Sequence, residues 1–155
     1  MIQRVQTLYI LLGIIFLVGS LFFPTYVYRA ITGEAYVSVF PSKVVSQDEA
    51  GVAKGEMVWY IVGLFWWVFG IAIASIGMYK NRPRQVFLLN ASVVLVGLLL
   101  ALMWVQFSSY GHAALSFRTI GYGCYALMLG CFSFLRAAGQ VRKDEALVKS
   151  MDRLR

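Results

Sequence analysis

Hydrophobic positions fall into four long, almost unbroken runs, residues 5–23, 57–79, 86–107 and 119–138, separated by polar stretches. A helix that crosses a bilayer needs about 20 apolar residues, so the runs predict four membrane-spanning helices. The first, "VQTLYILLGIIFLVGSLFF", stops at Pro24, and the fourth carries Arg136 in its last turn. A short basic start followed by an apolar run also suits a secretory signal peptide. Bulky Leu21, Phe22 and Phe23 follow the loose cleavage pattern at Val18 and Ser20, and the segment reads as a retained anchor.

The connections carry a different pattern. Residues 25–40, "TYVYRAITGEAYVSVF", hold Tyr, Val and Ile on both sides of Thr32-Gly33-Glu34 and predict a β-hairpin. A lone hairpin is marginal in water, so this one is expected to rest on the outer end of the bundle or on a partner. Tyr26, Tyr28, Tyr36 and Phe40 also suit an interfacial aromatic belt. Residues 42–56 read as a polar loop, and residues 108–118, with His112, as a second, shorter one. The "KNRPR" turn at 80–84 is tight enough to make the second and third helices antiparallel neighbours. The expected fold is an all-α membrane protein: a four-transmembrane-helix bundle with a small extracytoplasmic β-hairpin between helices 1 and 2 and a cytoplasmic C-terminal amphipathic helix. It forms one integral membrane domain over residues 1–155, with 24–56 periplasmic and 139–155 a cytoplasmic tail.

Composition agrees with lipid as the solvent. The chain is 60% hydrophobic and 14% charged, with mean hydropathy +0.72, whereas soluble domains carry about 25% charged residues. The net charge of +7 is unevenly placed. Arg4, the 80–84 turn and the end of the chain from Arg136 hold ten basic and three acidic residues; the opposite connections hold four of each. Basic residues stay on the cytoplasmic side during insertion, which puts both termini in the cytoplasm of a multi-pass protein of the bacterial inner membrane. The same distribution accounts for the excess charge without nucleic acid.

Small residues suggest how the helices pack. Gly63, Gly70 and Gly77 repeat every seven residues with Ala74 beside them, and Gly123 and Gly130 repeat the theme on the fourth run. A seven-residue spacing of small residues marks a close helix pair. The second and fourth helices are expected to meet there, or the glycines to receive a partner subunit. Trp59 and Tyr60 suit the interface belt, while Trp66 and Trp67 lie deeper, against lipid or a neighbour. Gln6, Thr7, Ser20, Ser75, Asn90, Ser92, Gln106 and Ser133 supply interhelical hydrogen bonds, with no charged residue at mid-membrane depth.

Catalytic chemistry is not indicated. No Ser-His-Asp set, paired intramembrane carboxylates or phosphate loop is present, and a single histidine cannot hold a metal alone. Cys124 and Cys131 lie two turns apart on one helix, roughly 10 Å, too far for a bond between them. No catalytic residue, cofactor or metal is expected.

The tail, "QVRKDEALVKSMDRLR" (140–155), is patterned as an amphipathic helix. Val141, Leu147 or Val148, Met151 and Leu154 can share one face. Glu145 precedes Lys149 by four residues, the favoured order for an ion pair. Acids interspersed with Arg153 and Arg155 favour docking on a protein partner over binding anionic lipid alone. The opening "MIQRVQTLYILL" (1–12) and closing "KDEALVKSMDRLR" (143–155) resemble those of an uncharacterised four-span inner-membrane protein family, a domain of unknown function, of Bacteroidota. Met151 stands where members commonly carry alanine. The resemblance implies an inner-membrane location in a Gram-negative cell and no activity, cofactor or catalytic residue. The functional expectation is a non-enzymatic accessory or scaffold subunit. It would contact the lipid bilayer and other membrane subunits or further copies of itself, docking through its tail and outer hairpin. A small transporter or channel, with Asn90, Gln106 and His112 as lining candidates, is the first alternative. A regulatory protein whose tail binds a cytoplasmic factor is the second.

Overall fold

In a computed structural model, residues 2–30, 36–47, 53–79, 81–109 and 115–152 are described. Four helices and five strands follow in the order α1 (Ile2–Gly19), β1 (Tyr26–Ala30), β2 (Tyr36–Val39), β3 (Val44–Gln47), β4 (Ala53–Glu56), α2 (Trp59–Gly77), α3 (Arg82–Ser109), β5 (Leu115–Ile120) and α4 (Tyr122–Asp152). Helices α2, α3 and α4 are long and apolar enough to cross a membrane. Helix α1 is apolar over the shorter stretch Val5–Gly19. The chain is therefore mostly helical, with three candidate spans and a small antiparallel sheet.

The ends of α1 and α2 have local causes. Helix α1 tightens into 3₁₀-type bonds, Leu21 N–H to Val18 O at 3.0 Å and Phe22 N–H to Gly19 O at 3.1 Å, before Pro24 ends it. Proline has no N–H to continue the ladder. Beyond α2, the Asn81 N–H donates to the Met78 carbonyl at 2.9 Å, closing the turn that leads into α3.

The helices run alternately up and down. Helix α4 lies between α1 and α3, α2 packs on α3, and α1 meets α2 only lightly. Accordingly the apolar window of α4 is 44% buried, against 28% for α2 and α3. Ile10, Leu17, Phe65, Leu89, Leu99, Met103, Leu127 and Phe134 are among the buried core residues. Leu8, Ile15, Trp66, Trp67, Phe87, Val94, Val105 and Phe132 point outward and are exposed. An apolar shell of that extent suits lipid and not water.

One end of the bundle carries the sheet, in the strand order β4-β3-β2-β1-β5, antiparallel throughout. The expected hairpin is its centre, with Tyr26 opposite Val39 and Tyr28 opposite Val37. The Thr32-Gly33-Glu34 turn lies outside the described residues. Two expectations need correction. Residues 42–56, read as a polar loop, contain β3 and β4, because a tight turn at Pro41-Ser42, closed by Phe40 N–H to Lys43 O at 2.8 Å, returns the chain along β2. The connection read as a loop at 108–118 contributes β5, which pairs with the free edge of β1. In consequence α4 begins at Tyr122, later than the expected span start at 119. Both corrections have one cause: an open strand edge recruits a neighbour whose own pattern is weak.

Candidate functional site

Two ends of the bundle concentrate the polar chemistry, and each is built from segments distant in sequence. At the sheet end, β1 turns Tyr26 and Tyr28 down onto α3. Tyr28 stacks on Phe107 with centroids 3.8 Å apart, and Tyr26 lies 5.0 Å from Phe107 and 5.5 Å from Trp104. Burial pushes the Tyr26 phenol up to about 12, and Cys124 beside it adds to the rise. Pro24 and Thr25 form the joint beneath. The Pro24 carbonyl accepts from Gly123 N–H at 3.0 Å, the Thr25 carbonyl from Gly121 N–H at 2.9 Å, and Thr25 N–H donates to Val39 O at 2.7 Å. Thus α1, the sheet and the start of α4 meet on two residues. A Cβ on Gly121 or Gly123 would collide with the backbone of residues 23 and 24. Near the same end the Tyr60 hydroxyl donates to Gln106 Oε1 at 2.5 Å, tying α2 to α3.

At the opposite end, Gln6 of α1 donates from its amide to the Asp144 carboxylate on α4. Arg82, the first residue of α3, donates to the Asp144 backbone carbonyl at 3.1 Å. Asp144 is 9% exposed and Gln6 7%. A buried carboxylate is costly unless hydrogen-bonded, so the amide fixes where α4 sits against α1. Reading the sequence missed this residue as an anchor, although Ala137, Val141 and Asp144 recur at helical spacing on one buried face.

The candidate tail residues divide. Val141 is fully buried in the core and is not presented to a partner, because α4 stays packed on α1 and α3 down to Asp144. Leu147 and Val148 are exposed, 55% and 38%. The Met151 side chain and all of Arg153, Leu154 and Arg155 lie outside the described residues. Helix α4 continues unbroken to Asp152, so Leu147 and Val148 stand on a helix that projects past the Asp144 anchor.

The glycines divide as well. Gly130 faces α1, where its Cβ would be 3.4 Å from the Gly13 carbonyl and 3.7 Å from Phe16, and Gly123 faces the Phe23-Pro24 backbone. The close partner of α4 is therefore α1, and the expected α2–α4 seam does not form. Up-down packing with α1 and α3 on the flanks of α4 leaves α2 across the bundle. Gly63, Gly70 and Gly77 have open space around them and, with Ala74, lie on the exposed face of α2.

Most small hydroxyls bond within their own helices instead of across them. Ser20 donates to Leu17 O, Ser75 to Ala72 O, Ser92 to Leu88 O and Ser133 to Leu129 O. The channel-lining candidates do not converge. Asn90 and Gln106 are 16 residues apart on α3, about 24 Å along its axis, and His112 lies outside the described residues. Both cysteines are free thiols. Among the described residues no three His, Cys, Asp or Glu side chains are grouped to hold a metal ion.

No curated protein matches this chain. A family described as a domain of unknown function, DUF4293, matches residues 2–154. That match covers both ends of the bundle, the joint at Pro24 and the Asp144 anchor alike, and the chain belongs to the DUF4293 family.

Proposed function

We propose that this protein is a non-enzymatic, multi-pass protein of the bacterial inner membrane with both termini in the cytoplasm. On this reading all four helices span, α1 reaching across with its 3₁₀ turn and the flanking Phe22 and Phe23. Its role is that of an accessory or scaffold subunit, docked through the projecting end of α4 and through the outer sheet. One observation carries the reading: α4 is a single 31-residue helix, about 46 Å long, whose turns beyond Asp144 bear exposed Leu147 and Val148. A helix of that length outruns a hydrocarbon core of about 30 Å, and an exposed apolar pair outside lipid suits helix-in-groove binding to a partner. The basic bias of the tail-end connections supports the orientation. Gentle detergent extraction with a tag on the outer loop tests the role. A stoichiometric partner should co-purify with the full chain and be lost on deleting residues 147–155. A monomer without a partner in both preparations would overturn the proposal.

A further inference from the structure

Between α2 and α3, on the outward surface of the bundle, lies a groove of about 480 Å³ lined by Trp67, Ile71, Phe87, Leu88, Ala91 and Val94, with Asn90 among them. Its size is that of ligand pockets, about 300–1,000 Å³. Trp67, Phe87 and Val94 are each about 70% exposed, so nothing among the described residues closes it. Two polar features break an otherwise oily surface. Asn90 makes no hydrogen bond within the described residues, and in hydrocarbon an amide left so costs several kcal/mol. Arg84 is exposed and likewise without a partner among the described residues. It sits one turn before Leu88, on the face of α3 that also bears Ala91 and Leu95, and so heads the groove at the basic turn. A cation at the mouth, an amide one to two turns deeper and an apolar floor below reproduce, in order, the phosphate, ester and acyl chain of a lipid.

We propose that this groove is a binding site for one anionic phospholipid, its phosphate on Arg84, a glycerol ester carbonyl accepting from the Asn90 amide, and an acyl chain against Trp67, Ile71 and Val94. Charge complementarity selects the occupant. Basic pockets between helices at the membrane surface hold anionic headgroups, and a second protein copy offers no reason for an exposed arginine at the mouth. The proposal requires only that α2 and α3 lie in the bilayer. It does not depend on the tail having a partner.

The test is lipid retention by the full chain, purified in mild detergent and offered equal phosphatidylglycerol and phosphatidylethanolamine, read by native mass spectrometry. The wild type should keep one phosphatidylglycerol per chain in preference to phosphatidylethanolamine. Arg84→Gln should cut that retention at least fivefold, about 1 kcal/mol, and Asn90→Leu should do the same. Lys43→Gln, which removes an equal exposed charge from the opposite, sheet end of the bundle, should leave it unchanged. Arg84 is exposed, so its replacement keeps the fold, and an unchanged thermal transition confirms that. Equal retention by Arg84→Gln and wild type, no preference between the two lipids, or cross-linking of Leu88→Cys between copies in native membranes would each overturn the proposal. Recovery of the chain in the aqueous fraction would instead overturn the membrane reading beneath it.

Discussion

Glycine matters in this molecule where two backbones meet. At Gly123 the missing Cβ admits the Phe23 and Pro24 backbone, which lets α1 hand over to the sheet and to α4 at one point. Gly123→Ala should therefore lower stability by about 1–3 kcal/mol, the usual cost of overpacking, as a fall in the thermal midpoint in detergent. Gly70→Ala, set in open space, should leave the midpoint of the isolated chain unchanged or slightly raised. Asp144 is the second decisive residue. Asp144→Leu strands the buried Gln6 amide and should cost about 1–3 kcal/mol, whereas Arg82, bound to the backbone carbonyl, keeps its partner. The same measurement on Gln6→Leu/Asp144→Leu should show partial recovery, since neither polar group then remains buried. At Tyr26 the folded state holds the neutral phenol, whose pKa rises from 10.0 to about 12. The stability this provides is complete below pH 10 and is lost as pH climbs through about 12. Tyrosinate absorbance should show a late-titrating phenol that Tyr26→Phe removes, and an equal titration in both chains would refute it.

The elements differ in how far local pattern accounts for them. Four helices were legible because a long apolar run is best served by a backbone that satisfies itself internally, and α2, α3 and α4 are long and apolar enough to cross a membrane. The central hairpin was legible from Tyr, Val and Ile on both sides of Thr32-Gly33-Glu34, its second arm alternating around Val37 and Val39. Strands β3 and β5 were not: "VVSQ" becomes a strand because the turn at Pro41-Ser42 lays it along β2, and "LSFRTI" because β1, distant in sequence, offers it an edge. The tail helix was legible as a helix, but its face was misassigned: Val141 belongs to the core. That division sets a prediction at this scale. Truncation after Glu145 keeps Val141 and Asp144 and should leave the melting transition nearly intact, while truncation after Gly139 removes both and should abolish it. Equal stability of the two truncations would show that the end of α4 carries no packing role.

For the whole molecule, the alternating helix directions place the sheet at one end and the start of α1 and the end of α4 at the other. Reporter fusions should therefore report residues 82 and 155 on one side of the membrane and residue 45 on the other, with a tag ahead of residue 2 on the side of 155. A tag ahead of residue 2 on the side of 45 would mean that α1 does not cross. The sequence by itself determined where lipid is met and where charge collects, since transfer of apolar residues from water depends on composition over some 20 positions and on nothing distant. Only the tertiary structure decided that α1, and not α2, is the close neighbour of α4, that two separate connections fuse into one sheet, and that Val141 and Asp144 are hidden. Those outcomes depend on which surfaces compete for the same face: Gly130 meets Gly13 because α1 arrives there, and the glycines of α2 are left facing open space.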